Sequence, residues 1–118
     1  STLLLGDTLV AVLAESGVVR RLVLYLLEAH RFRVLLARDV EGLLRLLKSR
    51  PKGVILQGEK AVEAARKVRA TPEGRLASLY LVSETPPGLL LRPLRLLHLP
   101  KPLRSQEVLK ALEPLRRG

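Results

Sequence analysis

Five times along the chain a short apolar run gives way to a segment whose apolar residues fall three and four apart, and this alternation limits the fold more than any other feature. Short apolar runs bounded by turn residues read as buried strands, and the longer period reads as helices burying one face. Thr8 to Leu13 is the first strand. Glu15-Ser16-Gly17 supplies a turn with Ser16 placed to cap a helix, which Val18, Val19, Leu22, Val23, Leu26 and Leu27 carry to about His30. Arg33 to Ala37 is the second strand, and Asp39 caps a helix bearing Leu43, Leu44, Leu46 and Leu47. After the turn Arg50-Pro51-Lys52-Gly53, the run Val54-Ile55-Leu56 forms the third strand and ends on Gln57-Gly58. Ala61, Val62, Ala65 and Val68 make a thinner stripe on a helix that stops near Thr71-Pro72-Glu73-Gly74, and Ala77 to Val82 is the fourth strand. Pro86-Pro87-Gly88 and Pro93 then leave room for about one turn of helix. Leu96 to Leu99 is the fifth strand, Lys101-Pro102 a turn, and Ser105 caps a final helix with Val108, Leu109, Leu112 and Leu115 inward.

Strands this continuously apolar belong to a parallel sheet covered on both faces. Right-handed crossovers place helices on either side, and a doubly wound sheet of five strands takes the order 2-1-3-4-5. The carboxyl ends of strands 1, 3, 4 and 5 then converge on one crevice, where such folds bind ligands. Ala14, Glu15, Gln57, Ser83 and Lys101 stand there.

At 118 residues the chain is expected to form one domain, 1–118, whole or excised from a longer regulator. It has no cysteine, which excludes disulfides, thiol catalysis and thiolate metal sites and fits a reducing, cytoplasmic setting. No apolar run is long enough to cross a membrane, and the N-terminus carries no signal-like segment. The net charge of +10 would draw nucleic acid, but its 21 basic residues are spread through every element. Tyr25, Phe32 and Tyr80, the three aromatic residues, lie in apolar segments, so stacking of bases is not expected and nucleic-acid or anion binding is the alternative rather than the favoured reading. Abundant Leu and Arg without Asn, Cys, Met or Trp point to a thermophile or a GC-rich genome as the source of the charge.

The crevice residues, together with V-V-R-R at 18–21 and L-P-K-P-L at 99–103, resemble the receiver domain of bacterial two-component response regulators, from Thr8 to about Leu115. The resemblance implies the flavodoxin-like fold of that family, and a pocket that phosphorylates an aspartate at the end of strand 3 with a divalent cation. Such chemistry needs a carboxylate nucleophile, acidic ligands for the cation, and a hydroxyl and a lysine for the phosphoryl oxygens. In this chain Ala14 and Glu15 stand at the acidic pair, Gln57 at the phosphoacceptor, Ser83 at the hydroxyl and Lys101 at the lysine, while the loop after strand 3 is clipped to Gly58-Glu59-Lys60. An amide forms no acyl phosphate, and Glu15 alone is a poor site for a hard cation.

These departures lead us to expect a degenerate receiver, or pseudo-receiver: a non-enzymatic signalling domain of a phosphorelay-type system that uses neither metal nor other cofactor. Its expected partner is another protein or a second copy of itself. An active receiver with Glu59 or Ser83 as acceptor is a rival reading. Within the pocket, a Glu15–Lys101 ion pair is weighed evenly against two solvated side chains, and Gln57 is expected to cap its strand end rather than bond to Ser83 or Lys101. His30 and His98 are expected to be structural; His98 falls where receivers often carry an aromatic reporter of phosphorylation. The shortened, irregular fourth helix leaves Leu89, Leu90, Leu91, Arg92, Leu94 and Arg95, with His98, either as an interaction surface or, the preferred reading, as a cover for the sheet edge.

Overall fold

Apolar strands demand cover on both faces, and both faces receive it. The computed structural model describes residues 8–117. The ends of the expected 1–118 domain, with the N-terminal reading made on residues 1–7, lie outside the described residues. Strands β1 (Thr8–Ala14), β2 (Phe32–Leu36), β3 (Gly53–Gln57), β4 (Ser78–Ser83) and β5 (Leu96–Pro100) form one parallel sheet in the order β2-β1-β3-β4-β5. Helices α1 (Gly17–Ala29), α2 (Val40–Leu46), α3 (Ala61–Arg69) and α4 (Ser105–Leu112) cover it, with 3₁₀ turns at Leu47–Ser49, Leu89–Leu94 and Glu113–Arg116. Among the described residues no helix is long and apolar enough to cross a membrane.

Because successive strand residues point to opposite faces, each strand feeds two cores. Val10, Val12, Ile55, Tyr80 and Leu99 pack under α1 and α4, while Ala11, Leu13, Val54, Leu56 and Leu79 pack under α2 and α3. The Tyr80 hydroxyl donates to the Ala111 carbonyl at 2.9 Å and ties α4 to the sheet.

Local signals set two of the four helix starts. The Ser16 hydroxyl accepts from the Val19 N–H at 3.2 Å, and the Asp39 carboxylate accepts from the Gly42 N–H at 2.7 Å, as their positions predict. Ser105 does not cap α4. Arg104 occupies the extended cap position without a side-chain cap bond, and Ser105 is already the first helical residue. The expected inward stripe of α1 is also split: Val19, Val23, Leu26 and Leu27 are buried, but Val18 and Leu22 are 67% and 37% exposed, with Tyr25 beside them at 69%. Positions 18, 22 and 25 share a face that is rotated about 100° from the neighbouring positions 19, 23 and 26.

The fourth connection is remodelled more thoroughly. Leu89–Leu94 winds as a six-residue 3₁₀ segment with Pro93 inside it, and Arg95 closes it with a left-handed backbone (φ 54°). Leu94 is buried and Leu91 packs behind it, whereas Leu89 and Leu90 are 77% and 90% exposed. Leu94 is therefore withdrawn from the expected surface; a 3₁₀ turn of three residues sends positions 91 and 94 to one side.

One side chain fastens this corner. The Arg69 guanidinium, at the end of α3, donates to the carbonyls of Leu94 (2.9 Å), Gly74 (3.1 Å), Arg75 (3.0 Å), Ala77 (2.6 Å) and Arg95 (3.4 Å). Burial, and then the nearby Arg95 charge, lower its pKa from the ordinary arginine value, yet a guanidinium starting so high stays protonated. A short 3₁₀ segment buries little by itself, and Arg69 supplies what its length cannot.

Candidate functional site

The parallel register brings the ends of β1 and β3 side by side, with Ala14 opposite Gln57. Immediately beyond them the two strands exchange side-chain contacts. The Gln57 Oε1 accepts from the Ser16 N–H at 2.8 Å, and the Glu15 Oε2 accepts from the Lys60 N–H at 2.9 Å. The Glu15 N–H donates to the Gln57 carbonyl at 3.1 Å between them. Both acceptors meet helix beginnings, where N–H groups lack intrahelical partners. Lys60 starts α3 without a cap from its own side chain, so Glu15 supplies across the sheet the missing acceptor and adds its charge to that of Glu63 in the first turn.

Gly58 permits that reach. Its φ is +119°, and a Cβ there would lie 2.4 Å from the Glu15 Cδ. Only a residue without a side chain lets the Glu15 carboxylate fold across the turn. Ala14 is buried, and its carbonyl accepts from the Arg20 Nη1 at 2.9 Å.

Ser83 and Lys101 belong to a second set. The Ser83 hydroxyl donates to the Thr85 carbonyl at 2.6 Å, the Lys101 N–H donates to the Ser83 carbonyl at 3.1 Å, and the half-buried His98 ring places Nε2 2.9 Å from the same oxygen. The Lys101 side chain is exposed. Among the described residues the Glu15–Lys101 ion pair is not formed, and Gln57 bonds to neither Ser83 nor Lys101. Glu15 is held over Gly58 by the Lys60 amide, which supplies the partner that an ion pair would have supplied. Sequence reasoning named Ser16 only as a helix cap and did not single out the Lys60 N–H; a backbone donor has no signature in residue type.

Beside the first set opens a cavity of about 360 Å³ whose polar lining is Glu15, Asp39, Glu41, Gln57 and Glu63 with Arg38 and Lys60. Its residues do not fit a resident hard cation: among the described residues no three His, Asp or Glu side chains gather as ligands, and the neutral Gln57 oxygen is already engaged.

Sheet order, helix placement and a cavity beside the ends of β1 and β3 together match the fold of the receiver domain. The chemotaxis response regulator CheY4 of Vibrio cholerae superposes with a TM-score of 0.81 at 18% identity, over 92% of this chain and 98% of that one. The receiver domain of a Pseudomonas aeruginosa sensor histidine kinase, solved with magnesium in its active-site cleft, gives 0.78 at 17% identity over 95% and 99%. The pseudo-receiver domain of the CikA protein gives 0.68 at 22% identity over 92% and 97%. No protein-family model and no curated protein matches the sequence, and the likeness is one of fold.

Proposed function

We propose that residues 1–118 form a receiver-like regulatory domain of two-component signalling that works in the cytoplasm by binding a protein, without phosphoryl control and without enzymatic activity of its own. One observation carries the reading. At the position that the receiver fold reserves for the phosphoacceptor stands Gln57, an amide whose oxygen is taken up by the Ser16 N–H. The remaining pocket residues, Ala14, Glu15, Ser83 and Lys101, are its relics under this reading. The fully exposed Leu89 and Leu90, beside Arg92 and Arg95, offer an apolar and cationic face to a partner.

Incubation with a small phosphodonor and Mg²⁺, followed by intact-mass measurement, tests it. The chain is expected to gain no phosphoryl group. Gln57→Asp is expected to gain none either, because the second acidic ligand is still missing and Glu15 is still held by Lys60. That variant should also lose about 1–2 kcal/mol in urea unfolding, since the shorter side chain abandons the Ser16 N–H. A phosphoryl group that appears on the unaltered chain and disappears with Ser83→Ala or Glu59→Gln would overturn the proposal.

A further inference from the structure

Strand β5 is an edge of the sheet, paired only with β4, and its outer row of backbone donors and acceptors meets no other strand among the described residues. A groove flanks that edge on each face, one mainly apolar and the other part apolar and part cationic. On the α4 side, Leu97 is half exposed in a groove of about 550 Å³ shared with Tyr80, Leu99, Ala111 and Pro114. On the other side, Leu96 borders a smaller cavity of about 230 Å³ with Pro87, Leu91, Arg92 and Arg95. An incoming strand sends alternate side chains to opposite faces, so one groove per face is what a strand laid against β5 requires.

Charge decides what kind of strand fits. Between Glu84 and Glu107 the chain has no acidic residue and carries Arg92, Arg95, Lys101 and Arg104. A second copy pairing antiparallel about a two-fold axis at His98 would set Arg95 of each chain against Lys101 of the other. Like charges directly opposite destabilise a strand pair, and these two discourage self-pairing. The same two cations attract carboxylates. Glu107 and Lys110, which line the α4-side groove, offset each other and leave the excess cationic. The other edge, β2, is followed by Arg38, Asp39 and Glu41 and lacks this cationic excess.

We propose that the outer edge of β5 takes up an extended segment of a partner protein, alternating apolar and acidic residues, as a sixth strand. This rests on the reading of the domain as an interaction module, and the two can fail separately: phosphoryl transfer would remove that reading, whereas the experiment below addresses β5 alone.

The ¹⁵N-labelled chain is titrated with a peptide of about seven residues alternating Glu and Val, and with its Lys-for-Glu counterpart. Amide exchange at 96–99 is expected to slow with the acidic peptide. Its affinity should exceed that of the basic peptide by about tenfold or more, and should fall with added salt. Lys101→Ala and Arg92→Ala, each checked for fold by circular dichroism, should each weaken binding by about threefold. No binding of the acidic peptide, equal binding of both peptides, or amide changes confined to segments other than β5 would overturn the proposal. So would sedimentation showing that the chain pairs with itself through β5.

Discussion

Arg69→Met is expected to lower the stability of the domain by about 2–4 kcal/mol, read as a lower urea midpoint at an unchanged slope. The guanidinium donates to five carbonyls that belong to the α3–β4 connection and to the end of the 3₁₀ segment. Methionine keeps the aliphatic stem and removes every donor, leaving partly buried carbonyls without partners. Arg69→Lys should recover only a minor part of the loss, because an ammonium lacks the planar fork that spans several acceptors. Equal stability of the lysine variant and the unaltered chain would show that charge alone holds this corner. The structural consequence reaches further than the residue itself. Leu94 and Leu91 are buried only while the 3₁₀ segment stays seated, so the variant should also expose that segment to proteolysis.

Gly58→Ala is expected to cost about 2–4 kcal/mol through two separable effects. The backbone at φ +119° lies outside the region that an L side chain tolerates, and the new methyl would collide with Glu15 at its Cβ, Cγ and Cδ. The collision expels the carboxylate from the Lys60 amide and uncaps α3. A double-mutant cycle with Glu15→Ala separates the two: the collisions with Cγ and Cδ should vanish in the double variant, and the contact with Cβ and the backbone strain should remain. Additive losses would mean that Glu15 does not rest on Gly58 in solution.

The sheet order, the positions of the strands and two of the three predicted caps were legible because each depends on local residue type: apolar runs, a Ser or Asp before an amphipathic segment, prolines that stop a helix. Ser105 misled because capping depends on backbone conformation as well as on the hydroxyl, and the extended residue is Arg104. Leucine composition alone could not assign Leu89 and Leu90 outward and Leu94 inward, since that division follows from three residues per turn in a 3₁₀ segment. Val18 and Leu22 show the same limit on α1, where a stripe wider than the buried face spills on to the surface. Topology alone set Ala14 opposite Gln57 and Ser83 beside Lys101, for neighbouring parallel strands end together, but it did not show that the two pairs form separate sets. Their bonding was not legible. Glu15 and Gln57 each satisfy a backbone N–H, and Arg69 satisfies backbone carbonyls; main-chain partners are identical at every position and leave no mark in the sequence.

The two contacts that cross between the ends of β1 and β3 involve no dissociable species. Both the Gln57 to Ser16 bond and the Glu15 to Lys60 bond are made by the chain's own groups, without a metal ion or a phosphoryl group between them. Under the proposed function, the domain stores no message in a covalent state. What it can report is occupancy: how much of a partner is present, and how tightly that partner is held, as mass action dictates.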